Sequence, residues 1–339
     1  FSLLPTNPAH KKTMIAHTAN PLRKPNGFSR GKFVRLVSLL AIAALSPASA
    51  DEVVKPGDNL SKAIKKVQPG GALILEPGVY YQKISMADVA GTAESPITIK
   101  ARIPGSVTLN GANAGTGTKK PLTWTHVEGD LYSTTLALPN EVVTWMMVDG
   151  RIQFQYPALE NLKLFRAGST DPLAAVVSGP REGFCNVPDK EKGINTLYVH
   201  LRNGKNPDNC NIQVSFGAGS PNIGIGDNCQ WIVIEGLKLT MAGRCSAINA
   251  MSKTNSIKNI TVRDCFIEGA QVAIDLTAVS EGAVVEFNEF SQYPVYEWRA
   301  YWKAVYGVAN GVRIGGPDAK FNHNMGYDTF DQLQDLEIN

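Results

Sequence analysis

The sequence lacks the features that would place it in a membrane, on a nucleic acid or around a metal ion. It contains five cysteines among 339 residues, and their spacing matches no metal-binding pattern. After residue 50 no apolar run is long enough to span a bilayer. The charges nearly balance, with 33 lysines and arginines against 30 aspartates and glutamates. We therefore predict no cofactor, although the sequence leaves calcium open, and no nucleic-acid partner.

The first 50 residues are predicted to be a leader for export. Basic residues precede a mostly apolar stretch at 36–45, and Ala48-Ser49-Ala50 forms a small-residue cleavage site. Seven basic and no acidic residues lie in this part, so the rest of the chain has 26 basic and 30 acidic residues, a net charge of −4. We expect a secreted or periplasmic protein without a membrane partner once the signal is removed. A membrane anchor is the alternative.

Small and amide residues recur at near-constant spacing in the last third of the chain. Short segments of alternating β-formers and polar residues align at Leu237, Cys265, Asn288 and Asn324, which are 28, 23 and 36 residues apart. One short strand per repeat is typical of a stacked solenoid, in which each repeat buries its apolar face against its neighbours. Asparagine is tolerated inside because its amide can form hydrogen bonds along the stack. An evenly spaced β-sandwich is the alternative.

A short amphipathic helix is predicted over residues 58–67. Its apolar face follows the i, i+3, i+4, i+7 spacing and comprises Leu60, Ala63, Ile64 and Val67. Pro69-Gly70-Gly71 ends the helix, which suits a cap on the open end of a solenoid. The first strands follow, and the step of 24 residues from Leu75 to Ile99 is close to the later period.

The middle of the chain breaks the period. Between residues 121 and 215 the strands have other lengths, and Asp149-Gly150 is a strong signal for a tight turn. We predict an antiparallel β module here, in which Cys185 and Cys210 are candidates for a disulfide. The predicted organisation is a leader at 1–50, a cap with the first coils at 51–120, the module at 121–215 and further coils at 216–339.

A second insertion lengthens the coil between Asn288 and Asn324. It is rich in aromatic residues, namely Tyr293, Tyr296, Trp298, Tyr301, Trp302 and Tyr306. These side chains either anchor the loop on the flank of the solenoid or form a stacking platform for sugar rings. On the second interpretation, Tyr296, Trp298 and Trp302 bind substrate.

Several segments resemble the opening of secreted right-handed parallel β-helix proteins that act on polysaccharides. The resemblance runs through Pro69-Gly70-Gly71, Glu76-Pro77-Gly78-Val79-Tyr80, residues 91–101 and residues 105–111. Alginate- and chondroitin-type lyases and several β-helical glycoside hydrolases share this opening. The stretch around Met147-Val148-Asp149-Gly150-Arg151 resembles the hydrolase-like branch, where a β-sandwich interrupts the helix. The lysine- and arginine-bearing motifs of the lyase branch are not found.

The resemblance and the repeats together predict an all-β fold, a right-handed parallel β-helix with an N-terminal capping helix and an inserted antiparallel β module. A second set of strands aligns so that one column of polar side chains faces outward on neighbouring coils. Its members are Asn249, Asp275, Arg313 and Gln334. Aligned positions in such a stack lie ~4.8 Å apart. A surface ion pair between Asp275 and Arg313 is the alternative to a glycan groove.

Glycoside hydrolysis needs two carboxyl groups, and we predict Asp275 and Asp331 as the pair. A lyase would need a base beside the uronate carboxyl group and a cation to neutralise it, roles that His323 and Arg313 can fill. Turn capping is the alternative role for His323. We predict a carbohydrate-active glycosidase with a polysaccharide or oligosaccharide substrate. The alternatives are a uronate-specific lyase and a non-catalytic glycan-binding or adhesion solenoid.

Both ends of the sequence are typical of a fragment. The chain starts at Phe1 and stops at Asn339 inside an alternating run. We expect further coils after Asn339, because natural solenoids cap their ends. The fragment alone is expected to aggregate through its open edge, whereas the full-length protein is expected to be a monomer.

Overall fold

The structure, a computed structural model, describes residues 51–137, 143–167, 177–216, 220–291 and 311–327. This part of the chain is mostly β. No helix within it is long and apolar enough to cross a membrane.

The first coils contain short strands and one helix. They are β1 (Glu52–Val54), α1 (Leu60–Ile64), β2 (Ala72–Leu75), β3 (Gly78–Tyr80), β4 (Ile84–Met86), β5 (Ile97–Ala101) and β6 (Val107–Asn110). The predicted helix is confirmed, since Leu60, Ala63 and Ile64 are buried and the Asn59 side chain accepts a hydrogen bond from the Lys62 backbone N–H.

Antiparallel strands form the middle of the chain. They are β7 (Ala114–Gly115), β8 (Thr125–Glu128), β9 (Leu131–Leu136), β10 (Val143–Val148), β11 (Arg151–Ile152), β12 (Arg166–Ala167), β13 (Val177–Ser178), β14 (Gly183–Asp189), β15 (Ile194–His200) and β16 (Ile212–Phe216). Helix α2 (Leu159–Leu164) and two 3-10 turns at Arg202–Gly204 and Pro207–Asn209 complete this part. We call residues 114–216 the module.

The module contains two antiparallel sheets, ordered β11-β10-β16-β7 and β14-β15-β9-β8, and the pair β12-β13. The predicted turn at Asp149-Gly150 is confirmed between β10 and β11, where φ is 49° at Asp149 and 80° at Gly150. Two positive φ values in succession are what a two-residue hairpin of this type requires.

The last part returns to short parallel strands. They are β17 (Ile223–Ile225), β18 (Gln230–Glu235), β19 (Lys238–Ala250), β20 (Ile257–Arg263), β21 (Phe266–Leu276), β22 (Val279–Glu281), β23 (Val284–Glu286), β24 (Glu289–Ser291), β25 (Val312–Ile314), β26 (Lys320–Asn322) and β27 (Met325–Tyr327).

The chain alternates between two parallel sheets, which gives a solenoid-like arrangement. The first sheet runs β1-β2-β5-β18-β20-β23-β26, with β22 beside β20. The second sheet has two branches that share the long strands β19 and β21. Branch 1 is β3-β6-β19-β21-β24-β27, and branch 2 is β4-β17-β19-β21-β25. From β2 to β25, each coil passes from the first sheet to branch 1 and then to branch 2.

The turn between the first sheet and branch 1 has the same form in the four coils that begin with β18, β20, β23 and β26, and we call it the ladder turn. The registers Glu235↔Arg263, Arg263↔Glu286 and Glu286↔Asn322 align Leu237, Cys265, Asn288 and Asn324 as predicted. Each of these residues follows one with a positive φ, namely Gly236, Asp264, Phe287 and His323. A left-handed residue followed by an inward one therefore defines the turn.

The register of the first coil differs from the prediction by two residues. Ile99 pairs with Leu73, not with Leu75, so the step is 26 residues long. Ile99 also pairs with Ile234, so the first sheet continues directly across the module insertion. Because side chains alternate with a period of two, this shift leaves every side chain on its predicted face.

One large apolar core lies between the sheets, and two smaller clusters lie within the module and against it. All five cysteines, which lie in described parts, are free. The predicted Cys185–Cys210 disulfide is therefore wrong. Cys185 is buried beside Trp145 and Tyr156 in one module cluster, whereas Cys210 packs against the other cluster. Cys265 is buried as predicted, and burial raises its pKa to about 12.

Candidate functional site

Branch 2 presents a column of polar side chains to the outside. Its inward residues are four fully buried isoleucines and a buried valine, namely Ile84, Ile223, Ile248, Ile274 and Val312. Because strand side chains alternate, the next residue of each strand faces outward. These residues stand in register as Ser85, Gly224, Asn249, Asp275 and Arg313. The predicted alignment of Asn249, Asp275 and Arg313 is confirmed, and we call these three residues the polar column.

Asp275 is the central residue of the polar column. Its Oδ1 accepts hydrogen bonds from the Thr277 hydroxyl group at 2.7 Å and from the Thr277 backbone N–H at 3.2 Å. Its Oδ2 lies 3.6 Å from Nη1 of Arg313. The Thr277 donors thus reach Oδ1, whereas Oδ2 forms an ion pair with the guanidinium group of Arg313. The Asp275 side chain is 15% exposed, so the carboxylate is shielded but reachable.

Arg313 uses only part of its donor capacity on Asp275. Its Nε is buried and has no hydrogen-bond partner in the described part of the chain. A guanidinium group has five N–H donors and no acceptor. The Arg313 side chain is 33% exposed, so its Nη donors that do not face Asp275 can reach a ligand on the same face.

The other end of the polar column carries a thiol and an amine. Asn249 Nδ2 lies 3.8 Å from Sγ of Cys245. Lys83, which precedes β4, donates from Nζ to the Ser220 carbonyl group at 3.3 Å. Burial lowers the pKa of Lys83 below its usual range, and Cys245 opposes that shift only in part.

Both insertions leave the solenoid where branch 1 passes to branch 2. Residues 111–222 connect β6 to β17, and residues 292–311 connect β24 to β25. In the uninterrupted coils β19 and β21 pass this corner as single strands whose pairing shifts at Thr240, Gly243 and Ser246. The polar column therefore lies next to the corner from which both insertions start.

Several predicted site residues lie outside the described residues. They are Tyr296, Trp298, Trp302, Asp331 and Gln334. In sequence, the three aromatic residues belong to the segment that joins β24 to β25. Their roles stay predictions.

His323 lies away from the polar column. It occupies the left-handed position of a ladder turn, with φ of 52°, and its ring stacks on Phe287 at 5.0 Å with an interplanar angle of 4°. The turn after β25 and the whole of β26 separate it from Arg313. His323 and Arg313, to which the sequence analysis gives the two lyase roles, thus lie at different corners of the coil, because the turn points Asn324 inward and His323 outward.

The module docks on branch 1 and encloses a polar cavity there. Trp145 donates its indole N–H to the Gly243 carbonyl group at 2.9 Å, and Met241 packs into the module cluster. The cavity has a volume of about 300 Å³ and is lined by Gly150, Arg151, Ile152, Gln153, Phe154, Glu182, Glu268 and Ser291. Two carboxylates and a guanidinium group therefore face one space between the module and the solenoid.

Ion pairs hold the charged groups of this cavity. Glu182 lies 2.8 Å from Arg202 and 3.5 Å from Arg151, and Glu268 lies 2.8 Å from Lys238. The Glu182 and Glu268 side chains are 15% and 14% exposed. No local pattern of residues predicts this cavity, because its residues come from distant segments that meet only when the module docks.

No group of three or more histidine, cysteine, aspartate or glutamate side chains is placed to hold a metal ion among the residues that the structure describes.

Comparisons with known proteins agree with this architecture. A family model described as chondroitinase B matches residues 54–117, which comprise α1 and the first coils. No curated protein sequence matches the chain significantly. Among solved structures, the complex of XylC with xylose is similar over 81% of this chain and 58% of that chain, with a TM-score of 0.53 and 14% sequence identity. An alginate lyase from Paenibacillus sp. str. FPU-7 covers 78% of this chain and 58% of that chain, with a TM-score of 0.24 and 12% identity.

The chain thus spans 58% of the length of XylC and shares its fold at low identity. Its first coils are similar to those of the chondroitinase B family.

Proposed function

We propose that the chain is a carbohydrate-active enzyme that cleaves glycosidic bonds, with the polar column as its catalytic face. The observation that carries the proposal is the register of Asn249, Asp275 and Arg313 beside the corner where both insertions begin. A column of this kind is rigid, polar and linear, as an extended glycan requires. We further propose that the complete solenoid is a right-handed parallel β-helix.

Asp275 is proposed as one of two catalytic carboxylates. A carboxylate that accepts hydrogen bonds on one oxygen and forms an ion pair through the other suits a nucleophile or general base better than a proton donor. Asp331 is proposed as the second carboxyl group and the acid. Retaining and inverting glycosidases need separations of ~5–5.5 Å and ~6.5–9.5 Å respectively. Strands in a parallel stack lie ~4.8 Å apart, so carboxyl groups on neighbouring or next-neighbouring coils span both ranges.

The remaining predicted residues serve binding in this proposal. Arg313 orients Asp275 and donates to sugar oxygens, while Asn249 and Gln334 bind hydroxyl groups along the column. Tyr296, Trp298 and Trp302 stack on sugar faces. The solved structure of XylC contains xylose. Neutral pentose oligosaccharides are therefore the first substrates to test.

A uronate-specific lyase is the second candidate function, favoured by the match of residues 54–117 to the chondroitinase B model. Such a reaction removes the proton beside the uronate carboxyl group and expels the oxygen at the neighbouring carbon, which leaves a double bond. Arg313 is the cation that would neutralise the carboxylate. His323 lies at another corner, so a base from outside the polar column would be needed.

The products separate the candidates. The full chain is incubated with xylo-oligosaccharides, alginate and chondroitin, and both reducing ends and ultraviolet absorbance of unsaturated ends are followed. We expect new reducing ends without new absorbance. Equal growth of both signals would establish the lyase. Glycan binding without any product would establish a non-catalytic solenoid.

Export is part of the proposal, because residues 14–50 have the order of a signal peptide. Fusion of these residues to a reporter enzyme that is active only after export tests it. A reporter that stays inside the cell would contradict export.

A further inference from the structure

The outer face of the first sheet carries a groove that the proposed catalytic face does not use. The groove has a volume of about 450 Å³. Its lining includes Trp231, Val233, Asn259, Thr261, Glu281 and Lys320. The polar column lies on branch 2, and the turns after β19, β21 and β25 separate the two surfaces.

One wall of the groove has an uncommon backbone. Trp231 has a φ of 53°, and the equivalent residues of the next two coils, Asn259 and Gly282, have φ values of 54° and 69°. Left-handed backbone is rare for a bulky residue such as tryptophan, and it is often found at ligand-binding positions. Here it places a half-buried indole on the outside of a parallel sheet.

Glycine is required at position 282 to keep this wall open. A Cβ atom there would lie 2.1 Å from Oδ1 of Asn259. Any other residue would displace the Asn259 amide group, and the positive φ would strain it as well. The Asn259 amide and the Trp231 indole N–H make no hydrogen bond within the described part of the chain. Both are thus available to a ligand.

The floor of the groove is flat and weakly polar. Val233, Thr261 and Val284 stand in register on neighbouring strands, with Lys320 at the next strand. Short β-branched side chains leave room above the sheet for a planar ligand. Glu281, Asp318 and Lys320 surround it, and Glu281 forms an ion pair with Lys258 at 3.0 Å, so the charges at the rim balance. A rim without excess positive charge offers no electrostatic attraction to a polyanion.

We propose that this groove binds a neutral sugar unit, with Trp231 as the stacking platform and Asn259 as the hydrogen-bonding group. Aromatic faces bind the apolar faces of sugar rings, and amides bind their hydroxyl groups. The volume fits a small-molecule site of ordinary size. The choice of a sugar as the ligand rests on the proposed function, whereas the position of the site does not. The site would hold a neutral polysaccharide away from the polar column.

Affinity electrophoresis of the full chain in gels that contain neutral xylan tests the proposal. Trp231→Ala is compared with Phe287→Ala, which also removes an exposed aromatic ring from a left-handed position. We expect xylan to retard the wild type and Phe287→Ala equally, and Trp231→Ala to bind about tenfold more weakly. Thr261→Gln keeps Trp231 but places a longer side chain on the floor of the groove. It should weaken xylan binding to a similar extent as Trp231→Ala. Melting curves identify any variant that fails to fold.

Equal retardation of the wild type and both groove variants would overturn the site. Retardation in alginate or chondroitin gels but not in xylan would overturn the neutral ligand. Cleavage assays keep the two proposals apart. Cleavage of xylan without retardation in the xylan gel would contradict the groove site but not the enzymatic function. Retardation that depends on Trp231, without any cleavage, would contradict the enzymatic function but not the groove site.

Discussion

Asn324 Oδ1 accepts hydrogen bonds from the Asn288 backbone N–H at 2.9 Å and from the Asn288 side-chain amide at 3.0 Å. Asn288 makes the same kind of contact with the preceding coil: its Oδ1 accepts a hydrogen bond from the Cys265 backbone N–H at 3.0 Å. Its Nδ2 donates to the carbonyl groups of Val262 and Glu286, each at 3.0 Å. The inward amides of the ladder turn thus connect consecutive coils and satisfy buried backbone groups.

Asn288→Ala is expected to lower the free energy of unfolding by about 3 kcal/mol, because it leaves several buried backbone groups without a partner. Asn288 is 1% exposed, so water cannot replace the amide. Chemical denaturation measures the change. The matched control is Asn322→Ala, an exposed position on β26, for which the loss should stay below about 0.5 kcal/mol. Equal losses for the two variants would contradict the role of the ladder.

Cys265→Asn is expected to stabilise the protein by about 1 kcal/mol. The Cys265 thiol lies 3.2 Å from the Arg263 carbonyl oxygen and 4.0 Å from that of Ile234, the positions that the Asn288 amide satisfies one coil later. An asparagine at 265 would complete the same hydrogen bonds. Thermal melting measures the change.

Cys185→Asn is the control for that variant. Cys185 is fully buried, and burial raises its pKa to about 12. An amide at 185 would therefore lose hydration without a ladder to receive it, and we expect a loss of about 2 kcal/mol. Destabilisation of the same size by both substitutions would contradict the account.

Asp227 is expected to make stability depend on acid pH. Hydrogen bonds from the Ser252 and Thr254 side chains lower the pKa of Asp227 to about 2, below the usual value of about 3.9. Because the pKa is lower in the folded state, the stabilisation is complete above pH ~4 and is lost as the pH falls toward 2. The melting temperature of Asp227→Asn should change less between pH 2 and 5 than that of the wild type.

Ser252→Ala is the intermediate case for this experiment, since it removes the first of these donors and keeps Thr254. Its melting temperature should fall less steeply with acid than that of the wild type. Identical acid slopes in all three proteins would show that the Asp227 contacts do not carry the dependence.

The periodic part of the fold could be predicted because its signals are local. The segments around Cys265, Asn288 and Asn324 each alternate β-forming and polar residues, and this alternation shows in the sequence. The register of Ile99 could not be fixed in the same way. A shift of two residues keeps each side chain on its face, so alternation does not distinguish Leu73 from Leu75.

The polar column was predictable for the same reason, since Asn249, Asp275 and Arg313 each follow a buried residue of branch 2. The position of His323 could not be predicted, because the spacing of residues in the sequence does not determine at which corner of the coil a turn lies. The cavity around Arg151, Glu182 and Glu268 required the docking of the module, which depends on contacts between distant segments.

The release of reducing ends by Asp275→Asn tests the central claim most directly. The control is Asp264→Asn, an exposed carboxylate at a left-handed ladder position that asparagine also tolerates. With the best xylo-oligosaccharide substrate of the wild type, we predict that kcat/KM falls by about 10²–10⁴-fold for Asp275→Asn and stays within about twofold for Asp264→Asn. Activity of Asp275→Asn equal to that of Asp264→Asn would contradict the assignment of the polar column as the catalytic face.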